Sequence, residues 1–338
     1  MSSVIAKQLN LIGLDETRRQ AEIFAPTKSV LARRLNKIDA TYVAMSEAKN
    51  GVVPDGTNED LAFLHAGLCQ SGCGLPHSRP DDDDKIWQRS AGRFHVLVNP
   101  GTMVDERTGK ATRVGVPYGS KARLIMIHLQ TEGFNSRVVN LGESMSAFLR
   151  SLGLKVSGGP RGTMTAVREQ CMRIARCSFT LQWSDSNDSG GHMIISESRI
   201  VNGLELWDGN RTDWSGEVEL SLEFHQHLKE HAVPLSKAGI ALLSGNSFGL
   251  DLYALFAHRL HRLNRDLHLS WSQLETQIGS EYANTKALAR RTREVVPEVM
   301  VAYPEARVDI TRHGLLMRPS KPPVPRRSVQ GHRLTLIG

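Results

Sequence analysis

Several groups of side chains in this sequence have types and spacings that could do chemistry. Cys69, Cys73 and His77 follow a Cys-x3-Cys-x3-His spacing that offers three zinc ligands. A closed structural zinc site takes four, and no fourth stands nearby, so small buried thiols are the plainer reading. His225, His227 and His231 put two imidazoles one helical turn apart, a spacing that can share a metal. Leu228 stands where a His-Glu-x-x-His metalloprotease carries its glutamate, so these read as surface histidines near a helix start. Asp81 to Asp84 gather four carboxylates, but a consecutive run cannot aim all its oxygens at one ion, and a solvated connector explains it better. The turn Ser157-Gly158-Gly159-Pro160-Arg161-Gly162 precedes a helix as a phosphate-binding loop does, yet it lacks the Gly-Lys-Ser/Thr ending of an NTPase. No catalytic residue, metal or cofactor is assigned.

The basic side chains carry a stronger signal. The 338 residues include 42 Lys plus Arg and 35 Asp plus Glu, a formal charge of +7. Residues 1–60 hold eight of each sign and residues 61–285 hold twenty-three of each. Residues 286–338 hold eleven basic residues against four acidic ones, so the whole surplus lies there. Such clustering is the electrostatic footprint of phosphate binding, with a solvated basic tail as the bland alternative.

Two helices are placed to use it. After the Gly-rich turn, Thr165, Arg168, Met172 and Arg176 lie opposite the apolar stripe Met164, Val167, Cys171 and Ile174, with Arg161 and Thr163 at the start. Further on, Asn284 and Thr285 lead a helix on which Lys286, Arg290 and Arg293 project away from Leu288, Val295 and Val299. Arg pairs bidentately with guanine edges, while Lys and Thr more often hold phosphates. Arg312 and His313 at a hairpin tip, then Arg318, Lys321, Arg326 and Arg327, are positioned to follow the DNA backbone or the minor groove. An ordinary charged solvent face would look the same in sequence.

The elements that must hold these residues recur in one order. Residues 1–60 read as interrupted helix with breaks at Pro26, Gly51, Pro54 and Gly56, and residues 72–85 as an irregular connector. Arg93 to Asn99 alternates like a strand, and Val114 to Val116 is a short one. Ser120 caps an apolar helix, Lys121 to Thr131. A short strand (Arg137 to Leu141), a helix (Glu143 to Leu152) and a helix capped by Thr163 and running to Arg176 follow. The strands Phe179 to Trp183 and His192 to Val201 flank the polar tip Ser184 to Gly191.

Helix, strand, helix, turn, helix and hairpin is the order of a winged helix. It returns as Phe248 to Leu263, Leu267 to Leu269, a helix capped by Ser270 through Ile278, and Asn284 to Ala302 with Pro297 as a kink. A hairpin, Arg307 to Thr311 and Leu315 to Arg318, turns around His313 and Gly314. The expected fold is α+β, with two tandem winged-helix (helix-turn-helix) domains at 93–215 and 216–320. A helical N-terminal extension (1–68), a connector (69–92) and a basic C-terminal tail (321–338) surround them.

Composition excludes other classes. With 40% hydrophobic and 23% charged residues, the chain is neither disordered nor fibrous. Its apolar runs, such as Leu124 to Ile127, fall far short of the roughly 20 residues that span a bilayer. Met1-Ser2-Ser3-Val4 shows no charged leader, and four cysteines are too sparse for a disulfide framework. A cytoplasmic protein with reduced thiols and no membrane partner is expected.

Motifs along the chain add a family resemblance. Cys69-Gln70, Leu75-Pro76-His77, Trp87 and Asn99-Pro100-Gly101 resemble those of plasmid-encoded RepA-type replication initiator proteins of proteobacteria. So do Gly115 through Arg123, Ser157-Gly158-Gly159 and Val233-Pro234-Leu235. Asp251-Leu252-Tyr253, Arg259 through Leu263, Ser270-Trp271 and Tyr303 through Arg307 extend the likeness, which runs from about Leu61 to Pro323. The resemblance implies a non-enzymatic protein that binds repeated sites (iterons) in double-stranded DNA at a plasmid origin. It further implies local origin opening and recruitment of the host initiator and replicative helicase. It identifies no catalytic residues. A winged-helix transcriptional repressor and a metal-dependent nuclease or nicking enzyme remain as alternatives, and monomer and homodimer both stay open.

Overall fold

Alternating and helical apolar patterns condense into a mixed helix-and-sheet, α+β architecture. The computed structural model describes residues 2–23, 31, 35, 38, 39, 42, 61–92, 94–105, 108–185, 192–198, 200–204 and 216–324. The breaks expected at Pro26, Gly51, Pro54 and Gly56 lie outside the described residues, as does the polar tip from 186 to 191.

In chain order the described elements begin with α1 (Ser2–Ile23), β1 (Leu61–His65) and α2 (Ala66–Gln70). Next come β2 (Trp87–Ala91), β3 (Phe94–Asn99), β4 (Gly101–Val104), β5 (Ala111–Gly115), α3 (Gly119–Gly133) and β6 (Val138–Asn140). They are followed by α4 (Met145–Ser151), α5 (Thr163–Arg176), β7 (Ser178–Asp185), β8 (His192–Ser198), β9 (Val201–Leu204) and β10 (Glu217–Leu220). The last group is α6 (Leu222–His231), β11 (Ala232–Ser236), α7 (Lys237–Leu243), α8 (Ser247–Arg259), β12 (Leu267–Ser270), α9 (Trp271–Leu274), α10 (Thr285–Ala302), β13 (Arg307–Ile310) and β14 (Gly314–Arg318). Two compact units emerge: the described parts of 62–233 with 272–281, and those of 1–61, 234–271 and 282–333.

In the unit of 62–233 and 272–281, the apolar stripe of α3 is the centre. Ile125 and Leu129 meet Phe148 of α4, Ile174 of α5, Val201 of β9 and Val218 of β10. β2, β3, β7 and β8 form an antiparallel four-stranded sheet whose inward row runs from Val96 to Leu181 and from Val98 to Phe179. A separate sheet has the order β6-β10-β9. A winged-helix unit of the expected kind would add its short strand β6 to the β7–β8 hairpin. Instead β6 pairs with β10, because β3 presents a matching apolar row along β7.

Local starts also differ from expectation. α3 begins at Gly119 with Tyr118 as its cap, because the Tyr118 backbone N–H donates to Gln170 Oε1 at 2.8 Å and Gly119 N–H to the Pro76 carbonyl at 3.0 Å. Gly162, rather than Thr163, caps α5. A Cβ on Gly162 would run into the Gly158 and Ser157 carbonyls, so only glycine closes this turn. The acid run is irregular and mostly solvated, with Asp81, Asp82 and Asp84 exposed, but Asp83 is half-buried and pairs with Arg79 at 2.8 Å and Arg173 at 3.2 Å. Burial pushes the Asp83 carboxyl up, but the two guanidiniums outweigh it and hold it below the usual carboxylate range.

In the unit of 1–61, 234–271 and 282–333, α8 is buried on almost every side, with Phe248, Leu252, Tyr253, Leu255 and Phe256 at 2% exposure or less. An apolar helix of this kind is a core helix with neighbours all round. Asn246 caps it, accepting from Gly249 N–H at 3.1 Å. The Tyr253 hydroxyl accepts from Ser236 N–H at 2.9 Å while its ring meets Tyr303 edge-on at 6.3 Å. β12, β14 and β13 form an antiparallel sheet in that order, burying Leu269, Leu315, Met317 and Val308. Gly314 lets β14 cross β12 closely, since a Cβ there would strike the Leu269 carbonyl. Ser270 is the last residue of β12, and the expected helix after it is a short turn of α9 followed by a π-helical turn, Glu275–Gly279.

Candidate nucleic-acid interface

Asn284 sets the register of α10. Its Oδ1 accepts from Ala287 N–H at 2.9 Å, so the helix starts where the sequence places it. From there the period does the sorting: Leu288, Val295 and Val299 are buried at 1% exposure or less, while Lys286, Arg290 and Arg293 are exposed. At 1.5 Å per residue these three span about 10 Å of one helix face. Arg291, one position off that face, is half-buried and spends itself on Asn246 and Glu294, each at 3.2 Å. Thr285 is half-buried behind the cap.

The hairpin of β13 and β14 supplies the adjoining basic tip. Arg312 and His313 are exposed side chains whose main-chain carbonyls face inward onto Trp271. Arg318 is held otherwise: half-buried, it pairs with Asp309 at 2.5 Å and Asp266 at 3.5 Å, so its charge is already matched. Lys321 is exposed, its carbonyl taken by the Tyr303 hydroxyl. Arg326 and Arg327 lie outside the described residues.

On α5 the predicted residues divide. Arg161, Thr165 and Arg176 are exposed and Arg168 is half-buried with its Nε enclosed and unbonded. The hydroxyls of Thr163 and Thr165 are consumed by the turn itself, Thr163 Oγ1 accepting from Ser157 N–H and donating to the Lys155 carbonyl and Thr165 Oγ1 donating to the Gly159 carbonyl at 2.8 Å. Arg173, which sequence reasoning missed, lies at 4% exposure between Asp83, Glu169 and the Val116 carbonyl. Glu169, one turn earlier, is a local signal of pairing, but the partner Asp83 comes from 90 residues away.

The groups that suggested metal chemistry are placed differently. Cys69 and Cys73 are buried thiols outside any disulfide, and both His77 ring nitrogens are engaged, Nε2 with the Ile278 carbonyl at 2.7 Å and Nδ1 with Arg123 at 3.3 Å. His227 and His231 gather against buried His65, with ring centroids 5.4–6.1 Å apart. Among the described residues no group of three His, Cys, Asp or Glu is disposed to hold a metal ion. Burial pushes the Cys171 thiol up to about 12 and Cys177 to about 11, which keeps both protonated at neutral pH. No described helix is long and apolar enough to cross a membrane.

The stretch that builds α3, the Gly-rich turn, α5 and the Ser270-Trp271 corner carries a family signature. Residues 116–273 match the family model of plasmid-encoded RepA proteins. The RepA match confirms over this stretch the resemblance drawn from individual motifs, and it ends ahead of Asn284 and α10. Two crystal structures of RctB are similar in part. One, a selenomethionine derivative of domains 2 and 3, aligns with a TM-score of 0.47 at 10% identity over 77% of this chain and 99% of that one. The other, of domains 2-3, gives 0.42 at 13% identity over 71% and 83%. No curated protein sequence matches the chain.

Proposed function

We propose that this chain is a plasmid replication initiator that binds repeated sites in double-stranded DNA at an origin and opens it without being an enzyme. The observation that carries the reading is the face of α10: three exposed basic residues, backed by a buried apolar stripe, inside a stretch (286–338) with eleven basic residues against four acidic ones. A helix so built fits the major groove, about 12 Å wide. The β12-β14-β13 sheet behind it has the strand order of a winged helix, with Arg312 and His313 at the wing tip. On this reading α5 and its Gly-rich turn form a second contact through Arg161, Arg168 and Arg176. Recruitment of host initiator and helicase, and location in the cytoplasm, follow from the RepA resemblance.

Footprinting on DNA flanking the gene, with permanganate probing of strand opening, tests it. Protection of several repeats and opening without ATP is expected, with affinity falling steeply in salt. If about six to eight phosphates are neutralised, the log–log slope is roughly −5 to −7. One protected palindrome without opening would favour the repressor, and cleavage dependent on a divalent ion would favour the nuclease.

A further inference from the structure

Trp271 joins the two parts of the interface through one side chain. Its indole N–H donates to the Arg312 carbonyl at 2.9 Å and its backbone N–H to the His313 carbonyl at 3.1 Å. Its ring, 8% exposed, lies under the Arg293 guanidinium at 5.6 Å. Both hairpin-tip carbonyls are thus turned inward, which leaves the Arg312 and His313 side chains outside. A guanidinium held over an aromatic ring by a cation–π contact still offers its N–H donors to a bidentate acceptor. The contact also orders a rotamer-rich side chain before binding, which lowers the entropy lost on association.

We propose that Trp271 is a specificity-positioning residue: it orients Arg293 for base reading and sets the hairpin tip at a fixed offset from α10. The inference rests on the reading of α10 as the DNA-contacting helix. It assigns two separable duties to one residue, ring to Arg293 and N–H donors to the tip.

The test uses the full chain and a labelled duplex that the wild-type protein selects from a random-sequence pool, with a scrambled duplex beside it. W271F keeps a ring under Arg293 and loses the indole donor, so it should weaken both duplexes by about threefold and keep the preference between them. W271L loses both, so the preference should fall about tenfold. In an R293A background W271L should remove no further preference, while W271F should still weaken both duplexes. The ratio of the two affinities is unaffected by a smaller folded fraction, so a merely structural role would leave it unchanged. Wild-type preference in W271L, or losses from W271L and R293A that multiply independently, overturns the positioning role. In that case loss of preference in the Arg290→Ala, Arg293→Ala protein would still uphold α10 as the reader. Selection of no duplex by the wild type would remove the reading and the inference together.

Discussion

Arg123 commits its guanidinium to main-chain carbonyls: Pro76 at 2.9 Å, Gly119 at 3.0 Å, Leu75 at 2.9 Å and Gly72 at 3.2 Å. At 0% exposure it organises the 72–77 loop, whose only regular piece is the 3-10 turn Gly72–Gly74. Arg123→Met keeps the aliphatic stem and orphans those acceptors, so it should cost on the order of 3–5 kcal/mol in denaturant unfolding. A cost under about 1 kcal/mol would mean that water replaces the guanidinium. In sequence Arg123 is one letter of a family-like motif, because its acceptors stand mostly 46 to 51 residues away. His258 is a second case. Burial, with Arg262 and Arg259 nearby, pulls its pKa down to about 3, so the native state keeps it neutral while the unfolded chain protonates it near 6.5. The unfolded state therefore binds the extra proton, and stability is full above about pH 6.5 and falls toward pH 3 by about 1.4 kcal/mol per unit. His258→Asn should remove that part of the slope in urea titrations across pH 4–6; an unchanged slope would place its origin elsewhere.

Helices and hairpins with local signals were legible. α10 has its cap, its stripe and its length in one contiguous stretch, and β13–β14 turns where Gly314 permits. The pairing of β3 with β7 was not, since the strands are some 80 residues apart and a matching apolar row shows only once folded. The same locality limits the reading of α5, where periodicity separates faces but cannot tell a paired arginine from a free one. Two kinds of arginine should consequently behave differently there. Arg176→Ala should leave stability within about 0.5 kcal/mol and cost on the order of 1–3 kcal/mol in DNA binding if it reads a base. Arg173→Ala should instead destabilise the fold, because it strips Asp83 and Glu169 of a buried partner. Thermal melts beside binding titrations check both, and loss of binding from Arg173→Ala without loss of stability would contradict the assignment.

At the scale of the molecule, charge and compactness divide the chain differently. Basic residues outnumber acidic ones eleven to four in 286–338 and twelve to three in 107–176, whereas one compact unit draws on 1–61, 234–271 and 282–333. Linear composition reveals the former; the latter depends on contacts between distant stretches, which no window of sequence contains. The account's central claim is that the basic face of α10 selects the DNA site. Its most direct measurement is a footprint of the Arg290→Ala, Arg293→Ala protein on the repeats that the wild type protects, with a melting curve of each. Both side chains are exposed and oppose the buried Leu288, Val295 and Val299, so the melting temperature should barely change. Specific protection should vanish, while weak sequence-independent binding persists through Lys286, Arg312 and Lys321. A double variant that protects the same repeats with native affinity would show that α10 is not the reader.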